Sequence, residues 1–197
     1  MAGLKTHGIT ANTPKELLLG AGAYYKNLKY NEESGWDGEI LGATSDGGKV
    51  TIEPEFLDVE VDGATVKVKG LTLKVGETAT MEVNLIEFKE DNLIKALHMV
   101  EDTSENVEGY KCFVSTRSIA DSDYFENVAF VGTLSSGQQI IIIFENALLT
   151  GSMELEAKNK EVSTMTITAE CMATFEQDDL EHLPYKIYYP QVEEAGV

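Results

Sequence analysis

Apolar and polar residues alternate with period two through residues 48–88, the most regular stretch of the chain. Short strands separated by turns are predicted there. Asp62-Gly63 is a strong two-residue hairpin signal. A turn at that point pairs Val59 with Val66 and Leu57 with Val68, and sets Asp58 opposite Lys67. A second, three-residue turn at Gly76-Glu77-Thr78 pairs Val75 with Ala79, Leu73 with Met81 and Leu71 with Val83. A two-residue turn would bring the leucines against Thr80 and Glu82, on the wrong face. Between the hairpins the apolar phase moves from even to odd positions across Gly70, which predicts a bulge or bend at that glycine. The polar face then carries Thr72, Lys74, Thr80, Glu82 and Asn84.

The remaining pattern fits one domain over residues 1–197. Residues 1–15 form a polar arm, and 17–30 a first strand in which Gly20 and Gly22 signal close approach or a bend. Residues 31–49 are rich in turn formers and read as a long loop, a length that is usually functional or interface-forming. That loop holds Trp36, the single tryptophan, either a cap on the core or an anchor for a neighbouring subunit. A short helix is predicted over about 91–101, capped by Asp91, with Leu93, Ile94, Leu97 and Val100 on one face. Strands follow at 110–116, 128–134 and 138–145, the last two joined by a turn at Ser135-Ser136-Gly137. Ile140, Ile141, Ile142 and Ile143 in succession imply burial on both faces, one of them more naturally covered by a neighbouring subunit. A further strand is expected around 152–157. Residues 163–176 are the longest cleanly alternating strand, and as one strand would span roughly 45 Å. Residues 191–197 form an acidic tail.

Charge narrows the function. The chain carries 34 acidic against 15 basic residues, a net charge of −19. Such a chain does not hold a phosphate backbone by counterion release. Cys112 and Cys171 lie in strand-like runs and make no disulfide framework. The opening residues have no apolar signal core, and the longest apolar run, 140–144, is too short to span a bilayer, so the chain is expected to be made inside the cell with no membrane contact. His7, His98 and His182 stand far apart, without CxxC or HExxH spacing. Gly20-x-Gly22 and Gly47-Gly48 lack the strand-to-helix context of a nucleotide site, and no serine sits in a nucleophile elbow. Asp121, Asp123 and Glu126 lack the glycine and distal glutamate of a calcium loop and read as an ordinary solvated turn. Neither an enzyme nor a cofactor is expected. A self-assembling β protein is the better reading, on its polar strand face, its over-apolar isoleucine strand and its arms. The competing reading is a monomeric β-sandwich that binds carbohydrate or a cell surface through Tyr185, Tyr188, Tyr189 and Trp36.

Four segments in order, PKELLLGAGAYYKN (14–27), ILGATSDGGKVTIEPEFLDVEVDG (40–63), VGETATMEVNLIEF (75–88) and DDLEHLPYKIYYP (178–190), resemble the major tail tube proteins of long-tailed bacteriophages. The resemblance implies a mainly β subunit, an antiparallel β-sandwich or barrel-like fold with one flanking helix. It implies homo-hexameric rings stacked into a hollow tube within the virion, made in the host bacterial cytoplasm, through which DNA passes without specific binding. Partners would be further copies and other tail proteins: tape measure, tail terminator, and baseplate or distal tail protein. On this reading Thr80, Glu82, Asn84, Thr168 and Glu170 line the lumen. Inter-ring contacts fall to the 35–48 loop and a projecting hairpin over 54–69, through Trp36, Glu55, Asp58, Glu60, Asp62 and Gly63. Gly70 marks the bend between hairpin and wall. An acidic duct agrees with this, since basic walls would trap the polymer.

Overall fold

A computed structural model describes residues 7–10, 12–153, 159–160, 162–175, 180 and 182–191. The expected strand at 152–157 and the 191–197 tail lie largely outside the described residues, as do residue 176 at the end of the 163–176 strand and residues 1–6 and 11 of the 1–15 arm. The protein is mainly β and antiparallel, with one α-helix among the described residues. Its strands are β1 (Leu18–Asn31), β2 (Gly35–Ile40), β3 (Thr44–Asp58), β4 (Thr72–Leu85), β5 (Met99–Glu101), β6 (Phe113–Ser115), β7 (Tyr124–Leu134), β8 (Gln139–Ser152), β9 (Met165–Cys171) and β10 (Tyr185–Tyr188), and α1 is Glu90–Leu97. One sheet runs β2-β1-β7-β8-β9-β4-β3, with β10 also on β8, and β5 pairs with β6 separately.

The long sheet curls around its own core. Tyr24, Val128, Phe130, Phe144, Leu149, Ile167, Met81 and Val83 pack on the concave side, with Val50 and Ile52 of β3 against them. The backbone of Leu41 donates to the Tyr24 carbonyl at 2.8 Å, extending the β1–β2 ladder, while the far end of the sheet returns to β1 where Gly48 of β3 lies against the Tyr24 hydroxyl. The barrel does not close. An apolar cleft of about 830 Å³, lined by residues including Leu18, Tyr24, Gly48, Ile52 and Phe130, remains between β1 and β3. The convex side carries a second, smaller cluster of Leu28, Ala129, Ile141 and Ile143, with Trp36 and Tyr25 against it. The isoleucine run is therefore buried on one face, by Ile141 and Ile143, under residues of the same chain, whereas Ile140 and Ile142 on the other face are only partly buried and Ile142 lines the cleft.

Several expectations need correction. The 31–49 segment is not a long loop, because β2 and the start of β3 occupy it. The separate hairpin over 54–69 does not form. Instead β3 pairs with β4 from Thr44↔Leu85 to Asp58↔Thr72, and Gly76-Glu77-Thr78 runs straight through β4 opposite Glu55, Pro54 and Glu53. The longer ladder extends the body of the sheet, whereas a short hairpin at Asp62-Gly63 would bury nothing. That dipeptide still turns: the Ala64 N–H donates to the Val61 carbonyl at 3.0 Å, with Gly63 at φ 89°. Gly70 has φ 92° and belongs to the same apical loop, 59–71. The register shift falls between Glu55 and Phe56, opposite Val75, and not at Gly70. The helix starts at Glu90 without a side-chain cap and ends at His98, whose φ of 49° turns the chain into β5.

The long strand expected at 163–176 stops at Cys171. There β9 pairs with Ala147 of β8, and the next stretch of that β8 edge, Ile141–Phe144, is taken by β10. Alternation persists in the sequence beyond the point at which the ladder has room for it. Cys171 is buried beside the Glu145 carbonyl, and burial pushes its thiol up to about 12, while Cys112 is only half-buried. A neutral, enclosed thiol is unreactive. Aromatic-disulfide reagent at pH 8 is accordingly expected to titrate one thiol per folded chain, Cys112, and both after denaturation; rapid loss of both from folded protein would contradict this core.

Candidate functional site

Three surface features result from this curl. The first is a polar face. Thr80 lies opposite Glu170, Glu82 opposite Thr168, and Asn84 opposite Thr166 across β4 and β9. All five expected lumen residues therefore stand in one patch, with the buried Met81, Val83, Ile167 and Ala169 on the reverse of the same strands. On the flanks, Lys49 and Thr51 of β3 face Glu82 and Thr80, and Thr150 of β8 faces Thr168. The Thr166 hydroxyl donates to Asn84 Oδ1 at 2.8 Å, tying the two strands on this side. Strict period-two alternation over a buried reverse face fixes these side chains outward. The patch offers hydroxyls, an amide and carboxylates, with Lys49 as the cation among its ladder neighbours. Among the described residues no group of three or more His, Cys, Asp or Glu side chains is placed to hold a metal ion; Asp123 instead accepts from the Ala120 N–H at 2.8 Å, and Glu126 pairs with Lys29 at 2.7 Å.

The second feature is the distal half of the β3–β4 hairpin. Beyond Glu55↔Gly76 it leaves the body as a two-stranded arm, with β3 at the edge of the sheet. Its apolar residues are exposed on both faces: Phe56 is 61% exposed, Leu57 52%, Leu73 49% and Val75 52%, and Val66 in the apical loop reaches 74%. Glu55, Asp58, Glu60, Asp62 and Gly63 all lie on this arm. Asp58 is ion-paired with Lys67 and accepts from the Thr72 hydroxyl at 2.6 Å, contacts that hold its carboxyl below the usual range. The expected Asp58–Lys67 pair thus forms, but across a loop. At the base of the arm Glu77 accepts from Lys74, from the Leu183 N–H at 2.9 Å and from the Tyr185 hydroxyl at 3.4 Å, which fastens the segment entering β10 to β4.

Trp36 is not part of the arm. It sits on β2, edge-on to Tyr30 at 5.3 Å and to Tyr188 at 4.9 Å between ring centroids, above the convex isoleucine cluster. This aromatic group is the third feature. Tyr185, expected beside it, faces the other way, 6.4 Å from Phe144 in the core. Tyr30 was missed because the first strand's core pattern ends before it; its only signal was an aromatic residue six positions from Trp36 across a turn.

A buried lysine organises the opposite, core-facing side of β1. Lys26 bonds to Asp91 of α1 at 2.6 Å and reaches Glu39 of β2 at 3.2 Å, over the Phe125 ring. Burial pulls its pKa down, but the hydrogen bonds to Asp91 and Glu39 outweigh it and hold the ammonium above its ordinary value. One cation thereby joins α1, β1 and β2.

No protein-family model and no curated protein matches the sequence. No helix among the described residues is long and apolar enough to cross a membrane.

Proposed function

We propose that this chain is a self-assembling structural subunit of a hollow tube, of the kind that forms the tails of long-tailed bacteriophages. The observation that carries this reading is the exposed apolar arm. An isolated two-stranded ribbon is at best marginally stable in water, and one with both faces apolar is an aggregation hazard unless something covers it. A neighbouring copy of the same chain supplies such cover in a ring or between stacked rings.

The polar face supports the same reading from the other side. Its carboxylates lie on strands whose reverse faces are core, so they belong to a stiff wall and not to a mobile loop. A wall of hydroxyls and carboxylates repels phosphate and leaves passing DNA unbound. In this assembly Thr80, Glu82, Asn84, Thr168 and Glu170 face the channel. Six copies make a ring, and tape measure, terminator and distal tail proteins meet the stacked rings at their ends. The site of action is the virion.

Negative-stain microscopy and analytical ultracentrifugation of the purified chain test the proposal. Rings or tubes with a central channel, appearing in a concentration-dependent way, are the expected result. A single chain in solution at millimolar concentration, with no rings under any salt condition, would overturn it.

A further inference from the structure

The aromatic group around Trp36 separates two shallow depressions on the convex side of β1, β8 and β10. One, of about 370 Å³, is lined by Tyr30, Trp36, Gln139, Ile141, Tyr188, Tyr189 and Pro190. The other, of about 510 Å³, shares Tyr30, Trp36 and Tyr188 and has Leu28 and Ile143 beneath it. Its walls are polar: the Lys29–Glu126 pair at 2.7 Å, the Lys186–Glu145 pair, and Asn146. We propose that this double groove binds a neutral oligosaccharide.

Three observations carry the assignment. Exposed rings of Tyr30, Tyr188 and Tyr189 flank the half-buried Trp36, offering apolar platforms with polar tips for the C–H faces of sugar rings. Beside them stand planar amide, carboxylate and ammonium groups able to bond hydroxyls, the mixture of apolar lining and few placed polar groups found in small-ligand sites. The charge is the third. In a chain of net charge −19 this groove carries two lysines and two glutamates already paired with each other. A charged ligand would find no uncompensated partner there, whereas hydroxyls bond to paired ions without separating them.

Position makes the groove independent of the tube reading. The sheet order places β1, β7 and β8 on one wall of the curl and β9, β4 and β3 on the other, with β1 and β3 meeting at the seam. The groove and the polar face thus look outward from opposite walls. When the polar face lines a channel, the groove lies on the tube's exterior, free to touch a glycan surface.

Trp36 is the only tryptophan among eight tyrosines, so emission excited selectively at the tryptophan red edge reads this groove. The protein is titrated with maltohexaose, cellohexaose and chitohexaose, with oligogalacturonate as the anionic comparison and a proline decamer as the peptide comparison. The expected result is a saturable change with at least one neutral hexasaccharide. Tyr188→Ala and, separately, the more exposed Tyr189→Ala should each weaken it at least tenfold, with melting temperatures confirming that they fold. No response to any neutral hexasaccharide overturns the proposal. So does tighter binding of the oligogalacturonate or the proline decamer, or an unchanged affinity in both tyrosine variants. An emission change that tracks protein concentration without sugar also overturns it, because it assigns the groove to a second copy of the chain.

Discussion

Replacing Phe56, Leu57 and Leu73 together with aspartate should leave a folded single chain that no longer assembles. These side chains lie outside both core clusters, so surface-type changes within about 0.5 kcal/mol are expected in the melting transition. Assembly is a different matter. Fully burying one such side chain contributes about 1.5–3 kcal/mol, so three of them amount to roughly a thousandfold or more in association constant at about 1.4 kcal/mol per tenfold. The added carboxylates also set acidic arms against an acidic neighbour. Sedimentation velocity and microscopy on matched wild-type and variant protein decide the point: rings or tubes appearing at the wild-type critical concentration would remove the arm from the interface.

The largest stability effect is expected at Gly48. A Cβ built there would lie 2.3 Å from the Tyr24 hydroxyl oxygen and 2.4 Å from the backbone carbonyl of Glu82. The tyrosine is among the most deeply buried side chains of the core, and the carbonyl belongs to the neighbouring strand, so neither has room to retreat. Overpacking a tight core typically costs about 1–3 kcal/mol and more where backbone must shift. For a chain of this size about 3 kcal/mol lowers the melting temperature by roughly 6–12 °C. Gly48→Ala is expected to do so, measured by calorimetry. Gly70→Ala offers the contrast: nothing lies within 4 Å of its Cβ position, and its strain at φ 92° is confined to the apical loop. Equal losses at the two glycines would contradict this account of the seam between β1 and β3.

Much of the body was legible because its strands obey a simple period. Ala79, Met81, Val83 and Leu85 point inward at the positions the alternation demands, and their polar partners fall on one face together with those of β9. The β7–β8 hairpin followed from the Ser135-Ser136-Gly137 turn, which closes with the Leu134 N–H on the Gln138 carbonyl at 2.8 Å. The β2 strand was hidden because GWDGEI has no apolar period; it is held by pairing with β1, as in Tyr30↔Trp36, and by the Glu39 contact to Lys26. The arm was misjudged for a different reason. Alternation at Leu71, Leu73 and Val75 announces an apolar face without saying whether the same chain covers it. The aromatic groove was half legible: Trp36 and Tyr188 come together through three strands that no local pattern connects.

One pairing bears on how the chain reaches this structure at all. Tyr24 of β1 lies beside Phe130 of β7, roughly a hundred residues further on, whereas β3 and β4 close on each other locally. Chains dominated by such distant contacts fold in about milliseconds to seconds, because the loop must be closed before the contact rewards it. During synthesis β1 has no partner on its β7 side until residue 134 has left the ribosome, while the β3–β4 ribbon is complete by residue 85. The sticky element is thus made before the body that is meant to carry it, and slow elongation or crowding of nascent chains would favour arm-to-arm tangles over rings.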